Sequence, residues 1–132
     1  TANKVLNLCS AETRKKIFFN VLGNNLRGLL ALINLCSFVI GNDGGTMNMA
    51  KALNKPTFII FSPWIEKIAW STFEDGKKHI SVHLNDYKPE LFKNKTLKQI
   101  KKENNNLYNL FSPDFFGDLL NHFIKSNLIN EQ

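Results

Sequence analysis

Apolar and polar positions along the chain alternate between two periods, one close to two residues and one close to four. Residues 17–22 (IFFNVL) form a β-branched and aromatic run that follows the charged stretch 12–16 and stops at Gly23, which predicts a buried strand. Asn24 and Asn25 lead into LRGLLALINL, whose apolar residues at 26, 29, 30 and 33 fall at helical spacing, with Asn25 as N-cap. Residues 37–40 (SFVI) predict a second strand ending at Gly41. Gly44 and Gly45 then open a helix through Met47, Met49, Ala50 and Leu53, and Asn54 and Pro56 stop it. Residues 57–61 (TFIIF) read as a third strand, apolar on both faces as parallel strands are. Residues 80–84 read as a fourth, after the loop 73–78. The rest is polar and helical: a short lysine-rich helix over 96–102, a polar break at 103–106, and a final amphipathic helix. Ser112, Pro113 and Asp114 start that helix as N-cap and first turn, and it carries Phe115, Phe116, Leu119, Leu120, Phe123 and Ile124.

Strands alternating with helices through short loops predict an α/β fold, a Rossmann-like doubly wound parallel sheet with ligands gathering at the carboxyl ends of the strands. The 132 residues, 43% of them hydrophobic, make one domain that buries roughly two thirds of its unfolded surface without disulfide or metal. The longest apolar runs fall short of the roughly 18 residues of a membrane span, and no signal peptide is evident. Cys9 and Cys36 stand in apolar stretches without C-x-x-C spacing, which predicts buried thiols in a reducing compartment.

A net charge of +6 favours anionic partners. The lysines at 93, 95, 98, 101 and 102 read as a solvated helix face, with approach to an anionic membrane or acceptor as the alternative. Without interleaved aromatics they form no nucleic-acid groove. His79 and His83 lack the partners that would complete a zinc site, so neither metal nor cofactor is expected. Trp64 and Trp70 read as packing residues, with stacking on a sugar or base as the alternative.

The chemistry concentrates at Gly41-Asn42-Asp43-Gly44-Gly45-Thr46-Met47-Asn48, which joins the end of a buried strand to the start of a helix. Glycines there let backbone N–H groups approach an oxyanion, and the helix adds its N-terminal dipole and unpaired donors, so the natural ligand is a phosphate. The run is neither a Walker loop nor G-x-G-x-x-G. Asp43 has a second reading as a plain helix N-cap, and Ser62-Pro63 at the end of the third strand would lie beside this loop.

From Leu26 to Pro63 the sequence, LRGLLALINLCSFVIGNDGGTMNMAKALNKPTFIIFSP, resembles the C-terminal half of glycosyltransferase family 9, the ADP-heptose:lipopolysaccharide heptosyltransferases. That family shows a helix near L-x-E-L, a strand ending G-N-D-S/G-G-P-M-H, a helix ending A-L-x-x-P-T and a strand ending F-G/S-P. The resemblance implies the two-domain GT-B architecture, with this chain as the nucleotide-sugar-binding half and an acceptor half, carrying the catalytic base, absent. On that basis the chain, beginning at Thr1, is a processed or truncated piece that turns nothing over alone.

The resemblance also implies site roles. Asp43 faces the donor sugar, Gly44, Gly45 and Thr46 supply amides to the diphosphate, and the loop from Gly23 to Asn25 lies beside the adenine. Asn42, Asn48 and Ser62 complete the implied substrate-binding set. Thr46 and Asn48 replace the family's Pro and His, so no imidazole is present there, and Gly28 replaces the glutamate of L-x-E-L. The implied partners are a nucleotide-sugar donor, ADP-heptose, and a lipopolysaccharide core acceptor reached through the other half. The implied location is the cytoplasm, with the inner face of the cytoplasmic membrane as an alternative. The final helix would pack on the other half, leaving its apolar face exposed or self-associated here. Two other functions fit the residues alone: a non-enzymatic nucleotide-binding or regulatory module, and an interaction module using the basic C-terminal helices.

Overall fold

The computed structural model describes residues 2–128, and the chain divides into two compact units, Thr1–Leu32 and Ile33–Gln132. The first unit holds α1 (Ala2–Leu8) and α2 (Ala11–Lys15), and α3 (Leu26–Leu35) begins in it. Ser10 caps α2 by accepting from the Thr13 N–H at 3.1 Å. Asn25 caps α3 as the sequence predicts, its Oδ1 accepting from Gly28 N–H at 2.8 Å.

Residues 17–22 are not a strand. Phe18 and Leu22 are 73% and 71% exposed, and the run joins no β-ladder. The five apolar residues of this run have strand propensity, but a strand is stabilised by its neighbours, and this run has none. Gly23 is instead required by close approach, because a Cβ there would meet the Leu29 backbone at 2.5 Å.

The second unit is built on a three-stranded parallel sheet of β1 (Val39–Asn42), β2 (Thr57–Ile60) and β3 (His79–Val82), in the order β1-β2-β3. The order does not reverse among these strands, so the switch point of a doubly wound sheet is not among them, and the fold is a small Rossmann-like α/β sheet. α4 (Gly45–Ala52) connects β1 to β2 and packs on one face of the sheet, and α5 (Lys67–Trp70) lies in the connection from β2 to β3. On that face Ile59 and Phe61 pack with Met47. On the other, Phe58, Ile80 and Val82 pack with Phe116 and Phe123, as the two-residue period of each strand requires. Thr57 and His79 are register partners, and their side chains hydrogen-bond at 3.0 Å.

Beyond β3 come α6 (Leu84–Tyr87), a 3-10 turn at Pro89–Leu91, α7 (Leu97–Lys102), α8 (Asn104–Leu110), a 3-10 turn at Pro113–Phe115 and α9 (Gly117–Leu128). The predicted break at 103–106 is therefore the start of α8, a helix of poor intrinsic propensity that Leu107, 1% exposed, anchors in a cluster with Leu84 and Ile100. Ser112 and Pro113 start the 3-10 turn rather than the long helix. The fourth predicted strand ends two residues early because His83 caps α6.

The apolar face of α9 is not left exposed. Phe123 is 1% exposed, and Leu120 and Ile124 pack on the sheet cluster beside it. The thiols also differ from expectation: Cys9 is half-buried, Cys36 is exposed, and no disulfide joins them.

Candidate functional site

Parallel strands deliver their last residues to one edge of the sheet, and the glycine loop leaves β1 at that edge. The Asp43 N–H donates to the Ile60 carbonyl at 3.3 Å, so Asp43 extends the ladder by one residue past Asn42. Its carboxylate turns sideways and accepts the Ser62 N–H at 3.1 Å. Asp43 is thus not the helix N-cap. That position belongs to Gly44, whose φ of 157° and ψ of 179° lie in a region open to glycine, and no side chain caps the helix. The first turn of α4 therefore presents the Gly45 and Thr46 amides with no preceding helical carbonyl to accept them.

These groups open into a cavity of about 230 Å³ lined by Asp43, Gly44, Gly45, Met47, Asn48, Ile59, Phe61, Ile65 and Trp70. Of the residues expected from sequence, the structure brings together Asp43, Gly44, Gly45 and Asn48. Ser62 is buried behind them, bridging the Asp43 carboxylate to the Tyr108 hydroxyl, which donates to Ser62 Oγ at 2.7 Å. Thr46 and Asn42 are exposed beside the cavity without lining it, and Asn25 belongs to the first unit as the cap of α3.

Two residues depart from the main sequence reading. Trp70 was expected to pack, yet it is 63% exposed and forms a wall of this cavity. Lys51 was expected nowhere, yet it is buried, with Nζ donating to the Thr72 carbonyl at 2.7 Å and pairing with Glu74 at 3.5 Å. Glu74 also accepts from the Ser81 hydroxyl, so the pair is hydrogen-bonded on both sides. Lys51 shares the buried face of α4 with Met47 and Ala50, and its charge masks that pattern in the sequence.

A larger cleft of about 760 Å³ lies at the ends of β2 and β3, lined in part by Trp64, Lys67, His83, Asp86, Phe92 and Lys95. Both of its lysines are paired: Lys67 reaches Asp86 at 2.7 Å and the Ser81 carbonyl at 3.0 Å, and Lys95 pairs with Glu103 at 2.7 Å. Of the lysine patch, Lys95 is thus engaged, and Lys101 sits 4.8 Å above the Trp64 ring.

His83 links this cleft to the fold. Its Nδ1 accepts from the Asn85 N–H at 2.9 Å, which requires an unprotonated Nδ1. Nε2 is buried without a hydrogen-bond partner, although the Ser62 and Pro63 carbonyls lie near enough to favour a proton electrostatically. Burial dominates and pushes the imidazole below its ordinary 6.5, against the attraction of Asp86. Burial likewise lowers His79. A lowered histidine contributes stability that is complete above 6.5 and is lost as pH falls through the folded-state value, because the unfolded chain takes the proton first. Urea unfolding should show stability falling from about pH 8 to about pH 5, and His83→Asn, which keeps a capping acceptor, should flatten that fall. A profile identical to the parent's would contradict the role given to His83.

The sheet, its carboxyl-edge cavity and the uncapped glycine-led helix define a small Rossmann-like α/β unit. Residues 2–101 match the family model of glycosyltransferase family 9 (heptosyltransferase), and the chain belongs to that family. Membership makes it a glycosyltransferase by class, which implies a nucleotide-sugar donor and a sugar acceptor in general. No curated protein and no solved structure matches the chain. Among the described residues, no helix is long and apolar enough to cross a membrane.

Proposed function

We propose that the second unit binds the nucleotide-sugar donor, with the diphosphate on the first turn of α4, and that it is the donor half of a GT-B enzyme. The observation that carries this reading is the uncapped helix start: exposed Gly44, Gly45 and Thr46, without a capping side chain, at the mouth of a carboxyl-edge cavity. Amide donors and helix dipole favour a bound anion and, more strongly, the charge that develops on a departing diphosphate. Asp43, oriented by the Ser62 amide, and Asn48 then address the sugar, while Asn42 and Thr46 flank the phosphates. The donor is ADP-heptose and the acceptor a lipopolysaccharide core sugar, whose hydroxyl is deprotonated by an acidic residue of an acceptor half. The setting is the cytoplasm or the inner face of its membrane.

Calorimetric titration of the chain with ADP, UDP and their sugar conjugates tests this reading. Binding of the adenine compounds in preference to the uracil ones is expected. Preference for uracil would overturn the choice of ADP-heptose, and no binding of any of the four would overturn the donor site.

A further inference from the structure

Two tryptophans lie near the carboxyl edge, and their surroundings differ. Trp64 is half-buried, packs against the Leu84, Ile100 and Leu107 cluster, and has one face occupied by the Lys101 ammonium. Trp70 is largely exposed, yet it stands as one wall of the cavity that also contains Asp43, Gly45 and Asn48. The chain just past it is tied to the opposite end of the same helix that presents the amides. The Thr72 carbonyl, two residues past Trp70, accepts from buried Lys51 of α4, and Glu74 is held by the same ammonium. Both walls of the cavity are therefore referred to one helix.

The cavity's 230 Å³ falls short of the roughly 300–1,000 Å³ that encloses a drug-sized ligand, so it accommodates one ring of a sugar nucleotide rather than the whole. An indole wall, a carboxylate and a side-chain amide around one ring suit a pyranose: its C–H face is desolvated against the aromatic ring, and its hydroxyls donate to Asp43 or exchange hydrogen bonds with Asn48.

Resting on the donor reading above, we propose that Trp70 is a specificity-determining residue that stacks on the transferred sugar and makes the site prefer a sugar nucleotide to the free nucleoside diphosphate. The test is calorimetric titration of the parent chain, Trp70→Ala and Trp70→Tyr with ADP-heptose and with ADP, with melting temperatures on the same samples. The parent should bind ADP-heptose more tightly than ADP. Trp70→Ala should lose about five- to tenfold in affinity for ADP-heptose and nothing for ADP, and Trp70→Tyr should restore most of the loss. An equal loss for both ligands would place the indole on the nucleoside and overturn the proposal, as would unchanged affinity for both in a folded variant. ADP binding that survives either result keeps the donor site standing. If the parent binds neither ligand, the donor reading fails and this inference falls with it.

Discussion

Lys51→Met should destabilise the chain by about 3 kcal/mol, close to the loss seen when one partner of a buried ion pair is removed. The Lys51 side chain is 4% exposed and Glu74 17%, so neither charge is well screened by water. Methionine fills a similar volume but leaves the Thr72 carbonyl without its donor and the Glu74 carboxylate with only the Ser81 hydroxyl. Adding Glu74→Leu to Lys51→Met should recover a large part of the loss, since replacing both members of a buried pair with apolar groups is often close to neutral. Urea unfolding of the three variants checks this. A loss within about 0.5 kcal/mol for Lys51→Met, as at an ordinary surface position, would remove Lys51 from the framework of the site.

Gly44 and Gly45 should respond in opposite ways to an added side chain. A Cβ at Gly45 meets nothing within 4 Å, so Gly45→Val should change stability little, while its bulk competes with a phosphate for the space before the first-turn amides. Donor affinity should fall about a hundredfold or more, the loss expected when several charge-assisted hydrogen bonds are blocked. A Cβ at Gly44 also meets nothing, but the φ of 157° is strained for any L side chain, so Gly44→Ala should cost about 1–3 kcal/mol of stability. Melting temperature and donor dissociation constant on the same samples separate the two effects. If Gly45→Val keeps both its fold and its donor affinity, the loop is only a turn.

The parts of this fold that were legible in the sequence are those in which local and long-range preferences agree. TFIIF is apolar on both faces and forms the central strand, flanked by a partner on each side. Asn25 and the Gly44-Gly45 pair mark helix starts through local hydrogen bonding and φ alone. The misread segments are those in which one preference overrides the other. Residues 17–22 have the composition of a buried strand but no partner, whereas NNNLYNL has little helix propensity and is held by the burial of Leu107. His83 continues the apolar strand in sequence, yet its ring nitrogen is a better cap for α6 than a ladder extension. At the candidate site, the loop residues could be read from glycine chemistry. Lys51 could not, and for Trp70 the sequence left packing and stacking both open, because burial of a lysine and exposure of a tryptophan depend on how the β2–β3 connection returns across α4.

The most direct test of the central claim is amide chemical-shift perturbation in the ¹⁵N-labelled chain on addition of ADP. The largest shifts should fall on the backbone amides of Gly45 and Thr46, with smaller ones at Asp43 and Asn48 and none at the Trp70 indole. Shifts centred instead on Lys67, Asp86 and Lys95 in the larger cleft, with Gly45 and Thr46 unmoved, would contradict it.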